Sequence, residues 1–412
     1  MKFAVIGCGV VGSGVAEIAE NKPELLASEC GGEEVSLKYI LDIKDLSDRP
    51  YAGKVIRDID VIVNDPEIGL VVETMGGTEP AFTFCMKCLN AGKSVVTSNK
   101  ELVANKAEEL FEAAVKNGVQ FRFEAAVCGG IPVINTMFSD LGANEITGFA
   151  GILNGTTNFI LTKMIKEKAS FEQALKTAQE KGYAEKDPTA DIEGLDACRK
   201  TCILSSIAFG THFRPSEVYT EGITKITLED ASYASAAGAD IKLLGRAEKN
   251  PDETVTAMVT PAFVYKDCLL SGVSGVNNAL LIKGDSVGQV ILSGPGAGKE
   301  ATASAVVGDV LECVRIKKNA SHYHWNAHKD GVVRDKDEAQ TALYFRGFAK
   351  DKKAAVNEIR EAFDSVRFLS RENAPENEIA FITSVNTEKE LTETADGLKY
   401  FTAAAKIRIF GE

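Results

Sequence analysis

Apolar residues open the chain in short, punctuated runs. KFAVI (2–6) has the unbroken apolar character of a buried strand and stops at Gly7-Cys8-Gly9-Val10-Val11-Gly12, after which helical spacing runs from Ser13 to about Leu26. VSLKYIL (35–41) reads as a second strand and closes on Asp42. The alternation continues through VIVN (61–64), the buried strand LVVET (70–74), a helix from Pro80 to Asn90, the strand SVVTS (94–98), a helix from Glu101 to Lys116 and the strand VQFRFEAAV (119–127). Strands alternating with helices predict a doubly wound, parallel α/β sheet, whose ligands bind beyond the carboxyl ends of the strands. Three turns fall there: Met75-Gly76-Gly77-Thr78, Ser98-Asn99-Lys100 and Cys128-Gly129-Gly130.

The first turn has the spacing of a dinucleotide site. Gly7 permits the tight turn, Gly9 lets the backbone approach a pyrophosphate, and Gly12 allows helix and strand to pack closely. The free N–H groups after Gly9, at Val10 and Val11, and the helix dipole favour the phosphates. Asp42 is placed to accept hydrogen bonds from the adenosine ribose, whereas Lys44 would welcome a 2'-phosphate, so NAD and NADP both stay open.

Two further clusters carry chemistry. Lys100 follows a buried strand at a carboxyl-end turn, a costly place for an ammonium unless it meets a ligand or a carboxylate. Asp196 and Lys200 stand four apart at the start of a helix that continues as the apolar TCILSSIAF, so they share one face near a segment that must be buried. Such a pair can hold a lysine ready as a proton donor; an exposed pair worth about 0.3–0.5 kcal/mol is the plainer reading. Glu185, Asp191 and Asp196 suit a substrate ammonium. Between the clusters, Asn154-Gly155-Thr156 forms a polar turn into an amphipathic helix, and its amides and hydroxyls either cap that helix or bind a carboxylate.

Composition narrows the partners. With 412 residues the chain should form two or three domains, and 46 basic against 59 acidic side chains leave a net charge of -13, which argues against nucleic acid or an anionic membrane. MKFAVIG carries no secretory plan, no apolar run is long enough to span a bilayer, and nine scattered cysteines suit reduced, buried thiols, so a cytoplasmic location is expected. Cys85 and Cys88 read as core packing, and His322, His324 and His328, around Trp325, as surface or linker residues.

In order, GCGVVGSGV, ETMGGTEPA, VTSNKELVA, EAAVCGGIPV, GILNGTTNFIL, YAEKDPTADIEGLDACRK, EGI and GPGAGKEATASAVVGD resemble the homoserine dehydrogenase signature over about residues 1–315. The resemblance implies NAD(P)-dependent interconversion of L-aspartate 4-semialdehyde and L-homoserine in a homodimer or homotetramer. It implies a Rossmann domain (1–130 with 295–316) and a substrate and dimerisation domain (131–294). Lys100 and Lys200 would move protons at the carbonyl, while Glu185, Asp191 and Asp196 position the substrate amino group and the second lysine. Gly76, Gly77, Thr78, Ser98, Asn99, Gly298 and Glu300 would lie along the cofactor, and Glu124, Val127, Gly129 and Ile131 would hold a monovalent cation (Na+ or K+), mainly through backbone oxygens. Cys128 replaces the family's usual glycine and raises the alternative of a thiol nucleophile.

After a polar linker (317–338), the βαββαβ order of residues 339–412 resembles an ACT module, regulated by an amino acid such as threonine or purely dimerising. A catalytically silent amino-acid sensor and a different Rossmann oxidoreductase are the competing functions; neither needs the spacing from Lys100 to Lys200.

Overall fold

A computed structural model describes residues 1–316 and 323–411, so His322 and the first part of the expected linker lie outside the described residues. β1 (Lys2–Ile6) runs into α1 (Val10–Asn21), and the helical stretch expected to reach Leu26 breaks at Lys22, where Pro23 opens α2 (Pro23–Glu29). Proline disfavours helical backbone in the residue before it and is itself suited to a first helical position. There follow β2 (Ser36–Leu41), β3 (Val55–Ile56), α3 (Ile59–Asn64), β4 (Ile68–Glu73), α4 (Ala81–Asn90), β5 (Ser94–Thr97), α5 (Lys100–Lys116) and β6 (Phe121–Arg122). All six strands pair parallel in the order β3-β2-β1-β4-β5-β6, the doubly wound arrangement.

Two local expectations change. VIVN lies inside α3, whose start is capped by the Asp58 carboxylate accepting from the Asp60 N–H; a four-residue apolar run has no period that separates strand from buried helix. The strand expected over 119–127 stops at Arg122, and Glu124–Ala126 form a tight helical turn. The Glu124 N–H there donates to the buried Asp309 carboxylate at 2.8 Å instead of to a neighbouring strand.

The next part comprises α6 (Val133–Asn135), β7 (Ile146–Ile152), α7 (Gly155–Glu167), α8 (Phe171–Glu180), α9 (Thr189–Ile192), α10 (Leu195–Phe209), β8 (Tyr219–Thr220), α11 (Leu228–Ala236), β9 (Ala239–Lys249), β10 (Val255–Tyr265), β11 (Asn277–Gly284) and β12 (Gly288–Pro295). Its main strands form an antiparallel run, β12-β11-β7-β9-β10. The chain then returns to the first sheet through α12 (Lys299–Ile316). Val306 and Val310 of α12 share a buried core with Val15 and Ala19 of α1, and a Cβ on Gly14 would come within 2.9 Å of the Ala303 Cβ.

Residues beyond 339 give β13 (Gln340–Thr341), β14 (Leu343–Ala349), α13 (Lys352–Ala362), β15 (Val366–Leu369), β16 (Glu378–Thr383), β17 (Asn386–Thr387), α14 (Glu388–Asp396) and β18 (Phe401–Phe410); apart from the two-residue strands β13 and β17, which pair with each other, this is the βαββαβ order read from the sequence. Their sheet does not stand apart: β18 pairs parallel with β10, so the middle sheet continues as β10-β18-β14-β16-β15. The described end of the linker is no loose spacer either. Tyr323 and Trp325 are buried, and the Trp325 ring meets Phe111 and Phe123 edge-on at 4.9 and 5.7 Å. His324 is exposed as expected, while His328 is half-buried and its Nδ1 bonds the His212 carbonyl at 3.1 Å. Cys85 and Cys88 are core residues of α4.

Candidate active site

The glycine turn has the shape a dinucleotide needs. Gly7 adopts φ +88°, reserved in practice for glycine. A Cβ on Gly12 would lie 2.0 Å from the Gly7 carbonyl oxygen, so the third glycine is dictated by packing. A Cβ on Gly9 would meet nothing within 4 Å. That open space fronts the first turn of α1, whose start has no side-chain cap, leaving its N–H groups available to phosphate oxygens. At the far end of β2, the Asp42 carboxylate accepts from the Cys8 N–H at 2.5 Å and the Lys44 N–H at 2.8 Å. It is thereby pinned beside the glycine turn, while exposed Lys44 and Arg57 lie around it, Arg57 donating to the Asp42 carbonyl.

A second turn is organised from below. Glu73, wholly buried at the end of β4, accepts from the Thr97 hydroxyl at 2.5 Å and the Met75 N–H at 2.7 Å, and burial raises its carboxyl above the ordinary value. Asn99 caps α5 through the Leu102 N–H and donates to the Gly77 carbonyl at 2.6 Å. The turns of Gly76-Gly77-Thr78 and Ser98-Asn99-Lys100 are thus tied to each other. The sequence reading missed Glu73; its signal was a lone acid closing an apolar strand directly before a glycine turn.

Between the two parts lies a cleft of about 670 Å³, lined among others by Val10, Lys100, Gly155, Asp191, Asp196 and Lys200. Asp196, 6% exposed, is one of its lining residues. One oxygen meets Lys100 Nζ at 3.0 Å, the other Lys200 Nζ at 2.8 Å and Asn154 Nδ2 at 3.0 Å. Burial by itself would raise the Asp196 carboxyl, but the two ammonium groups outweigh it and hold the group well below the usual carboxylate range. Burial pulls Lys200 the other way, and the Asp196 charge again prevails and keeps the lysine above its ordinary value. The Lys200 ammonium also donates to the Leu153 carbonyl at 2.7 Å, so two of its three donors are engaged among the described residues. The exposed-pair reading of Asp196 and Lys200 is therefore wrong: the pair is buried, and Lys100 joins it from the start of α5.

The remaining expected residues divide. Asp191 accepts from Asn154 Nδ2 at 2.7 Å and is raised by burial; Glu185 lines the same cleft from an exposed loop. Asn154 caps α7 through the Thr157 N–H at 2.9 Å, and the Thr156 hydroxyl donates to the Tyr183 carbonyl at 2.6 Å. A Cβ on Gly155 would lie 2.6 Å from the Val276 carbonyl oxygen, so that glycine too is a packing requirement. Gly298 lines the cleft, but Glu300 is exposed in a groove between α12 and α1, and Thr302 reaches the cleft in its place. Lys181 lines it as well and was not foreseen. Cys128 is fully buried and burial pushes its thiol up to about 12, which makes it a neutral packing group rather than a nucleophile.

These two halves are also found together elsewhere. A family model described as homoserine dehydrogenase, NAD binding domain, matches residues 7–124, and one described as homoserine dehydrogenase matches residues 132–311. A homoserine dehydrogenase of Helicobacter pylori is 40% identical over 360 residues, covering 87% of this chain and 84% of that protein. The chain belongs to the homoserine dehydrogenase family. The crystal structure of a homoserine dehydrogenase from Thiobacillus denitrificans superposes with a TM-score of 0.90 at 36% identity, over 100% of this chain and 98% of that one. A hyperthermophilic archaeal homoserine dehydrogenase mutant in complex with NADPH gives 0.66 at 28% identity, over 78% of this chain and 99% of that one. The chain is accordingly an NAD(P)-binding oxidoreductase, and neither the silent sensor nor the unrelated dehydrogenase retains support. Among the described residues no helix is long and apolar enough to cross a membrane.

Proposed function

We propose that the cleft interconverts L-aspartate 4-semialdehyde and L-homoserine, with Lys200 as the proton donor and acceptor. The observation that carries this reading is the Asp196 carboxylate clamped between Lys100 and Lys200. Gly7, Gly9, Val10, Val11, Gly12, Gly76, Gly77 and Thr78 would hold a nicotinamide cofactor, which when bound would supply the hydride for the aldehyde carbon and accept it in the reverse direction. As negative charge grows on the carbonyl oxygen, the Lys200 ammonium stabilises it and gives up a proton to form the hydroxyl, leaving a neutral amine. Lys100, whose side chain is 40% exposed, shares Asp196 with Lys200 and relays a proton from solvent. In the oxidative direction Lys200 must first be neutral, and since Asp196 holds its pKa up, oxidation gains rate with rising pH.

Glu185 and Asp191 receive the substrate ammonium. Because the Asn154 amide and Thr156 hydroxyl are already engaged, the N–H groups opening α7 are the donors left for the substrate carboxylate. The Val127 and Gly129 carbonyls receive no donor among the described residues, which suits a hard monovalent cation taken by backbone oxygen; the Glu124 carboxylate is occupied by the Ile134 and Asn135 N–H groups, so Glu124 and Ile131 would join only through the main chain. Asp42 beside Lys44 supports use of both NAD and NADP. The open edge strand β12 supports self-association as a homodimer or homotetramer, nine free cysteines suit the cytoplasm, and the C-terminal βαββαβ order supports an ACT-like module for which threonine is the effector to assay first.

The test is turnover of L-homoserine with NAD and with NADP, measured side by side. Asp42→Ser should move the ratio of kcat/KM toward NADP about tenfold, the factor that about 1.4 kcal/mol of relieved repulsion represents. Absence of turnover from folded protein with either cofactor would remove the reading.

A further inference from the structure

Buried arginines in this chain have carboxylates. Arg122 meets Asp309, Arg346 meets Asp230 and Arg408 meets Glu388. Arg246, half-buried in β9, is different: among the described residues its one side-chain hydrogen bond runs from Nη2 to the Met258 sulfur at 3.2 Å. A thioether is a weak acceptor, and a guanidinium has five N–H donors. Burial pushes this group down to about 10, with Arg408 adding to the effect and the charges of Glu248 and Glu388 opposing it. An unmatched cation at such a depth costs stability and marks a place where a ligand completes the structure.

The surroundings define that ligand. Met258, Arg246, Ala150 and Leu281 are register partners in one row across β10, β9, β7 and β11. Two adjoining clefts, of about 470 and 270 Å³, open over this row and share Arg246, Glu248, Lys283, Gln340 and Phe410. Their roof is the start and the end of the C-terminal unit, Gln340 and Phe410. Lys283, the other cation, is paired with Glu248 at 3.3 Å, and exposed Asp267 lines the larger cleft without forming an ion pair to Arg246, so among the described residues the guanidinium itself has no carboxylate partner. The planar guanidinium fork fits a carboxylate through two parallel hydrogen bonds. Leu281, Ile409 and Phe410 offer an apolar wall to a short hydrocarbon body, while Glu248 repels a second negative charge.

We infer that Arg246 is the anchor of a binding site for a small monocarboxylate with a short apolar body, seated between the middle sheet and the C-terminal unit and distinct from the catalytic cleft. The site is independent of the proposed reaction. Thermal unfolding and calorimetry of the full chain with butyrate and with inorganic phosphate test it. Butyrate should raise Tm in a concentration-dependent way while phosphate does not. Arg246→Met should raise the Tm of the ligand-free protein, since an unpaired charge is removed, and weaken butyrate binding about 30-fold or more. Arg246→Lys, which keeps the charge and loses the fork, should weaken binding and leave the ligand-free Tm near the parent value. The inference is overturned if butyrate leaves the parent unchanged, if Arg246→Met binds it equally well, or if phosphate binds better. It also fails if sedimentation shows Arg246→Met dissociating a dimer, because a carboxylate of a second copy would then be the occupant.

Discussion

At the scale of single residues, one carboxylate sets the protonation of two lysines, and each substitution around it has a definite sign. Removing Lys100 takes away a like charge beside Lys200, so Lys100→Met should raise the Lys200 pKa and displace the rise in homoserine oxidation to higher pH. Asp196→Asn removes the counter-charge from a buried ammonium and should displace it to lower pH. The pH profile of kcat/KM for oxidation reports both shifts; equal displacement in the same direction would show that Lys200 is not the titrating base. Lys200→Met should lower turnover by about 10²–10⁴-fold with dinucleotide affinity almost unchanged, because Lys200 lies on α10 and the glycine turn lies between β1 and α1. The four-residue spacing of Asp196 and Lys200 made their pairing legible in the sequence. That Lys100 completes the triad was not legible, since its distance from Asp196 is set by how two separate sheets meet.

Within elements, the glycine turn separates two demands that sequence spacing presents as one. Gly12→Ala would drive a methyl group into the Gly7 carbonyl and should cost about 1–3 kcal/mol of stability, read from the urea midpoint. Gly9 has φ −77°, which any residue adopts, and open space at its Cβ position. Gly9→Ala should therefore leave stability within about 0.5 kcal/mol of the parent yet weaken NADPH binding in a fluorescence titration, because the added methyl occupies the approach of the pyrophosphate. Loss of stability without loss of affinity would refute the assignment of that space to the cofactor. Long elements such as α5 and α10 announced themselves by apolar period. The short ones did not: VIVN became a helix and residues 123–127 left the sheet, because a cap from Asp58 and a hydrogen bond from the Glu124 N–H to Asp309, 185 residues away, decided them.

For the whole molecule, the C-terminal unit is joined to the enzyme by sheet and by charge. Asp230 on α11, fully buried, accepts from Arg346 of β14 at 2.8 Å and from the Tyr344 hydroxyl at 3.1 Å. Arg346→Met would strand that carboxylate, at a cost of about 3–5 kcal/mol. Asp230→Asn combined with it should recover part of the loss, which a double-mutant cycle on urea midpoints would detect; strict additivity would show that the pair is not coupled. Periodicity, glycine spacing and motif order determined by themselves the parallel sheet, the dinucleotide turn, the four-residue pairing of Asp196 with Lys200 and the βαββαβ order, because each depends on contacts within a strand, a turn or a helix; that the pair is buried came from the tertiary structure. Only the tertiary structure decided that Lys100 reaches Asp196, that Thr302 lines the catalytic cleft while Glu300 lines the groove beside α1, that β18 extends the middle sheet, and that Arg246 is left without a carboxylate. Those outcomes depend on which side chains become neighbours when separate elements pack, and in the linear sequence such neighbours can lie more than a hundred residues apart.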